Sequence, residues 1–328
     1  MSTVIDMHTH MLSDAWVETI KQHGGPHYSI GTVRGGQQAV HLDGAPFMTL
    51  TPGMFDYDLR IRAMDAAQVD VSIVTLTCPS IYWGGRDVSV AAARAINDNM
   101  AAAQSAYAGR IRWMATLPWQ YPQDALAELQ RAQSAGAVGV IALANIAGEP
   151  LTAPQFAPLW AAVEASGLPA WIHPTAPPGA GAMDMTAYNL IANIGFMFDT
   201  TLALTRMIYD GFFDRYPSLK LIAGHAGGTL PFLAGRLDQC YDHMPASRAN
   251  ISRPPSAYLR HIYYDAVVYA PAALELCIAV AGADHVLYGS DYPHNIGDIE
   301  GCLARVDALP AAQREAVRGG NALRIFNL

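Results

Sequence analysis

Ile5-Asp6-Met7-His8-Thr9-His10 stands almost at the start of the chain. Val4, Ile5 and Met7 read as an apolar strand bound for a core, and strand residues two apart project from one face, so His8 and His10 can grip one metal ion together. His-x-His alone is a weak signal, since surface and structural histidines also pair this way. This one gains weight from three later residues, His173, His225 and Asp291, each of which closes an apolar run.

Short β-branched runs recur at 4–10, 71–78, 111–117, 139–146, 169–174, 219–225, 261–268 and 285–291. Ala-rich helical stretches follow at about 58–68, 88–108, 122–135, 155–167, 198–213, 229–243, 270–281 and 308–318. An open doubly wound sheet rarely uses eight such units in series, so the pattern predicts an α/β fold closed as a (β/α)8 TIM barrel. A single barrel domain over 1–328 is expected, a common length for this architecture. Residues 21–57, rich in Gly, Pro and Thr, exceed a plain βα loop and predict a small insertion after strand one, over the barrel mouth. Residues 175–197, rich in Pro, Gly, Met and Ala, predict a lid-like segment or subunit contact after strand five.

With 52% apolar and 15% charged residues the chain can bury a large core and is not disordered. A net charge of −8 without a basic run excludes nucleic acid as a partner. Cys78, Cys240, Cys277 and Cys302 are far apart and form no Cys-x-x-Cys unit, which argues against a disulfide scaffold or a thiolate metal site. The first residues lack the basic and apolar regions of a secretion signal, and no apolar run approaches a membrane span. A cytoplasmic protein is expected.

On the predicted barrel, His8 and His10 close strand one, His173 strand five, His225 strand six and Asp291 strand eight. All face the end where such barrels carry their sites. Three imidazoles and a carboxylate suit Zn²⁺, with Mn²⁺, Fe²⁺ and Co²⁺ compatible by ligand type. Asp6 shares the face of the histidines but lies deeper, and is expected to support them or the fold. His261 and His285 start their strands at the opposite end. His294 follows the Asp291 loop within reach of a substrate. A centre with two metals bridged by a carboxylated lysine needs that lysine, or a substitute, at the end of strand four. Gly139-Val140-Ile141-Ala142-Leu143-Ala144-Asn145-Ile146 offers none, and the chain's only lysines, Lys21 and Lys220, lie elsewhere. One metal is expected.

The chain resembles the amidohydrolase superfamily, in the branch around aminocarboxymuconate semialdehyde decarboxylase and related nonoxidative decarboxylases. The resemblance spans nearly the whole length. It rests on Ile5-Asp6-Met7-His8-Thr9-His10, Arg60-Ile61-Arg62-Ala63-Met64-Asp65, Ala170-Trp171-Ile172-His173-Pro174 and Phe213-Asp214-Arg215-Tyr216-Pro217-Ser218-Leu219-Lys220. Gly224-His225-Ala226-Gly227-Gly228 and Tyr288-Gly289-Ser290-Asp291-Tyr292-Pro293-His294 complete it. It implies that His8, His10, His173 and Asp291 bind the metal and that His225 works beside it as acid/base. It also implies a homodimer in which Arg236 reaches a neighbouring subunit's site and holds a substrate carboxylate, a task suited to a planar guanidinium.

Two departures stand out. Gly44-Ala45-Pro46-Phe47 is followed by Met48, where the semialdehyde decarboxylase has an arginine, and its substrate-stacking tryptophan aligns near Ala192. The intact His-x-His also differs from benzoate decarboxylases of the branch, which commonly carry Glu in place of the first His.

The resulting expectation is a metal-dependent nonoxidative decarboxylase of an aromatic or dienoic carboxylic acid, with Tyr82, Trp83, Phe196, Phe198 and Tyr292 available to form a flat apolar slot. The competing expectation is a hydrolase of a lactone, amide or ring-cleavage product, or a hydratase of a dienoic acid, in which Asp291 or His225 takes a proton from water. A barrel with a purely structural metal is disfavoured, because five polar residues crowd the mouth and a closed tetrahedral site uses four.

Overall fold

The computed structural model describes residues 3–328, and eight parallel strands run through them as one sheet with neighbours in chain order. They are β1 (Ile5–His10), β2 (Val71–Thr75), β3 (Ile111–Thr116), β4 (Gly139–Leu143), β5 (Ala170–His173), β6 (Leu221–Ala223), β7 (Ile262–Asp265) and β8 (Val286–Leu287). The sheet returns to its start: Met7 N donates to Tyr288 O at 3.1 Å and His10 N to Tyr292 O at 2.8 Å. This is the (β/α)8 barrel that the periodicity predicts. Most strands stop short of the expected ends, because the residues beyond peel away into the loops of the mouth.

The expected crossover helices form, from Tyr57–Ala66 to Pro271–Ala281, and their termini follow local chemistry. Asp56 caps the first by accepting from Leu59 N at 2.9 Å, and Gly167 ends Ala157–Ser166 in the left-handed conformation. Three elements were not legible. Helix Asp14–His23 follows β1 directly, helix Ile299–Asp307 follows the β8 loop, and an antiparallel sheet of Tyr28–Thr32, Gln38–Leu42 and Ala45–Thr49 occupies the segment expected as an insertion. The sheet's strands are half exposed, so they carry neither clean alternation nor an apolar run. Among the described residues no helix is long and apolar enough to cross a membrane.

Met7, Ile73, Met114, Ile141, Trp171 and Leu287 fill the barrel interior, and Ile325 and Phe326 of the last helix pack against its lower end. The pairing of β1 with β2 slips between Asp6 and Thr9. Ile5 and Met7 face inward, yet His8 also lies on Trp171 inside the barrel, with ring centroids 4.4 Å apart. The irregularity therefore resets the alternation and turns His8 and His10 inward. It also corrects the placing of Asp6, which does not share their face: its carboxylate accepts from Ser290 N at 3.1 Å and Ser290 Oγ at 2.6 Å. Burial pushes Asp6 up to about 6, with Ser290 and Arg60 pulling the other way.

Arg60, wholly buried, ties this arrangement together. From helix Tyr57–Ala66 its guanidinium donates to Thr9 Oγ1 and His10 O, and it lies 4.9 Å from the centroid of the Tyr292 ring. One side chain thus clamps the end of β1 to the loop that closes the barrel. Arg60→Met should cost about 2–4 kcal/mol, since it orphans a buried carbonyl and strands Asp6 without its cation. Urea denaturation measures this, and an unchanged midpoint would contradict the clamp.

Candidate metal centre

At the C-terminal ends of the strands, His8 and His10 on β1, His173 on β5 and Asp291 in the turn after β8 converge. One ligand atom from each lies within 4.8 Å of the others, and all four side chains are buried. Trp171 forms the floor, 4.4 Å from the ring of His8 and 5.0 Å from that of His173.

Hydrogen bonds set the tautomers. His173 Nδ1 is 2.7 Å from Pro174 O, and a carbonyl only accepts. His8 Nδ1 is 2.7 Å from Asp265 Oδ2. His10 Nδ1 is 3.0 Å from Thr75 Oγ1, whose own proton goes to Thr9 O at 3.3 Å. Each Nδ1 is therefore a donor, which leaves each Nε2 turned to the common point as the nitrogen that a cation, or a proton in its place, would take. His8 Nε2 and His10 Nε2 stand 3.1 and 3.3 Å from Asp291 Oδ1, and none of these three buried atoms has a hydrogen-bond partner. Lone pairs facing one another at that range repel unless a proton or a cation lies between them. Burial lowers His8, but Asp265 and Asp291 outweigh it and raise the imidazole to about 10. Burial takes His10 down to about 3 and His173 well below its usual range. Burial opposes ionisation of Asp291, yet His294 and the facing imidazoles of His10, His225 and His8 hold it well below the carboxylate range. Three imidazole nitrogens and an anionic oxygen, with orphaned lone pairs aimed at one point, fit a divalent ion.

Asp265, the last residue of β7, organises the surroundings. Beyond His8 it accepts from His225 N at 2.9 Å, Ala226 N at 3.1 Å and Val267 N at 3.1 Å. His225 and Ala226 both have positive φ, 53° and 52°, a strained conformation for residues with a Cβ. The carboxylate pins that turn and holds His225 over the cluster. His225 differs from the other three imidazoles: its Nδ1 has no partner, and its Nε2 lies 3.6 Å from Asp291 Oδ2, beyond hydrogen-bond length. Its backbone is fixed, and its ring has no fixed hydrogen-bond partner.

A cavity of about 260 Å³ opens above the cluster, with His173, His225, Asp291 and His294 at its base and Phe47, Met48, Met185 and Phe196 among its walls. Of the predicted substrate contacts, Phe196 and His294 line it, and His294 Nε2 is held 3.0 Å from Thr77 Oγ1. Trp83 does not line it: its indole donates to Ser80 O and packs on the outer core. Tyr292 is likewise absent from the lining, because its ring turns to Arg60. Phe198 and Arg236 are exposed on neighbouring helices. Sequence reasoning missed Asp265, because the expected strand ran past it to 268 and hid its place at a strand tip. It also missed Asn145 and Asp199. Asn145 Nδ2 donates to the Asp199 carboxylate at 3.0 and 3.1 Å, and Thr175 N donates to the same group at 3.0 Å, joining the loops after β4 and β5.

A barrel with His-x-His on β1, His on β5 and Asp after β8 around one buried point defines a metal-site barrel with its site at the mouth. The chain belongs to the amidohydrolase family, whose model, described as Amidohydrolase, matches residues 5–328. It is 28% identical over 334 residues to a 2-amino-3-carboxymuconate-6-semialdehyde decarboxylase of Dictyostelium discoideum, covering 100% of this chain and 92% of that protein. It is 28% identical over 288 residues to a gamma-resorcylate decarboxylase of a Polaromonas species, covering 83% and 87%. The crystal structure of 5-carboxyvanillate decarboxylase from Sphingomonas paucimobilis superposes with a TM-score of 0.88 at 25% identity, over 100% of both chains.

Asp265→Asn should weaken metal binding by about 10–100-fold, since an amide cannot accept from His8 and from the His225 turn as a carboxylate does. Competition with a chromophoric chelator reads the affinity, and an unchanged value would remove Asp265 from the site's support.

Proposed function

We propose that this chain is a metal-dependent carboxy-lyase that removes CO₂ without oxidation from an aromatic or dienoic carboxylic acid. The observation that carries this reading is His225, whose two ring nitrogens have no fixed protein partner although its backbone is pinned at the base of a largely apolar cavity. The names of the similar proteins, decarboxylases of ring or muconate acids, agree with it. In this reading His8, His10, His173 and Asp291 hold one divalent ion, zinc by donor set. When bound, that ion supplies Lewis acidity toward an oxygen of the substrate.

The chain's own residues then do the rest. His225 delivers a proton to the carbon that bears the carboxylate, which interrupts the conjugation of the ring or diene. The carbon–carbon bond breaks, its electron pair returns to the conjugated system, and the carboxylate leaves as neutral CO₂. The product keeps the proton, and no water is consumed. Loss of charge in this step is favoured by the walls of Phe47, Met48 and Phe196, which solvate a carboxylate poorly. Phe196 and His294 position the substrate. Arg236 stands exposed one helical turn after Phe232, itself 77% exposed, and in our reading this face meets a second copy of the chain and lends Arg236 to its carboxylate.

Metal-loaded protein incubated with aromatic and dienoic acids should release CO₂ without incorporating solvent oxygen. His225→Asn should keep its metal and lose turnover by at least about 100-fold. Lactone or amide turnover with oxygen uptake from water, and silence on every acid, would replace this reading with a hydrolase.

A further inference from the structure

We propose that the end of the barrel remote from the metal centre holds a second binding site, a socket for a small oxyanion of the phosphate type. Lys220, His261 and His285 stand immediately before β6, β7 and β8, and with Arg260 they line one cavity of about 140 Å³ at the feet of those strands. The same strands lead at their other ends to His225, Asp265 and Asp291, and the socket shares no lining residue with the mouth cavity. Its occupant is therefore neither the substrate nor the product of the reaction proposed above.

The socket reverses the charge of the chain around it. The protein carries a net charge of −8, yet among the described residues this lining offers an ammonium, a guanidinium, two imidazoles and hydroxyls, and no carboxylate. Acids on the flanking segments are already engaged. Glu164 accepts from Ser218 N and Ser218 Oγ, both at 2.9 Å, and Asp214 accepts from Tyr258 OH at 2.6 Å and from Arg253 at 3.3 Å. Asp284 lies 3.2 Å from His285 Nδ1 but outside hydrogen-bond geometry, with its side chain 72% exposed to solvent.

The donors are held in place by the rest of the fold. Lys220 Nζ, half-buried, gives one proton to Ile325 O at 3.1 Å and keeps two of its three donors. His261 Nε2 lies 3.4 Å from Arg253 Nη1, which only donates, so the proton of this ring sits on Nδ1. Burial, followed by Arg253 and His285, lowers His261 and keeps it neutral. His285 lies flat on Tyr263, with centroids 4.7 Å apart and planes 16° apart. Arg260 is exposed and, unlike Arg253 beside it, pairs with no carboxylate among the described residues. Its guanidinium is the cation without an occupation. Donors on three successive strand feet suit the several oxygens of a tetrahedral anion better than the two of a carboxylate, and their prior fixing leaves little ordering cost to binding. Benzene needs a hole of about 150 Å³, so about 140 Å³ takes the five heavy atoms of a phosphate with ease.

Calorimetric titration of the metal-loaded protein with inorganic phosphate, at an ionic strength held constant with chloride, tests the socket. The unaltered protein should bind phosphate at about 1 mM or tighter, and Arg260→Ser should weaken that site by at least about 10-fold while the metal content stays the same. Any phosphate taken up at the metal is common to both proteins and cancels in the comparison. Arg260→Lys should restore affinity to within a few-fold, and acetate should bind at least about 10-fold more weakly than phosphate. Tighter binding of glycerol 3-phosphate than of phosphate would mark a phosphate monoester as the occupant, and weaker binding the free ion; both keep the site. Phosphate uptake that Arg260→Ser leaves unchanged would overturn the proposal, as would acetate binding as well as phosphate. Crystals soaked in selenate give the direct view, with an anomalous peak expected between Lys220 and Arg260 and its absence counting against the socket.

Discussion

Three imidazole lone pairs and one carboxylate oxygen face a single buried point, and most of what surrounds them exists to keep them there. Each imidazole is fixed by its other nitrogen: His8 by Asp265, His10 by Thr75 and His173 by Pro174 O. Asp291 is presented by a backbone with φ of 57°, and His225 by one with φ of 53°, strain of roughly 1–3 kcal/mol at each. The hydrogen bonds of Asp265 and the closure of β1 on the β8 loop hold that strain in place. Gly289 belongs to the same constraint, since a Cβ there would lie 2.6 Å from the Cβ of His8.

Behind the cluster, charge is kept apart by design of the fold. Asp6 and Arg60 face the outside of β1, so neither competes for the ligands. Asp199 sits under the segment after β5, where burial raises it to about 7 while Thr175 and Asn145 pull it back. It fastens Asn145, at the end of β4, to the helix that carries Phe196. The end of β4 thereby serves the roof of the cavity.

Much of this was readable from the chain alone. Eight β-branched runs alternating with Ala-rich stretches forced the barrel, and five polar residues at the ends of those runs marked the mouth. What escaped depended on geometry that spacing does not encode. The irregularity in β1 reversed the face of Asp6, because strict alternation assumes an unbroken ladder. Asp265 looked like a mid-strand residue until the strand stopped at it. Tyr292 and Trp83 were aromatic and near the mouth in sequence, but Arg60 and Ser80 claimed them. The antiparallel sheet that delivers Phe47 and Met48 has half-exposed strands and leaves no periodic trace.

Anomalous scattering from crystals of metal-loaded protein addresses the central claim most directly. The account predicts one ion per chain, bonded at about 2.0–2.2 Å to the Nε2 atoms of His8, His10 and His173 and to Asp291. An empty cluster, or two ions with one of them beside Asn145, would contradict it.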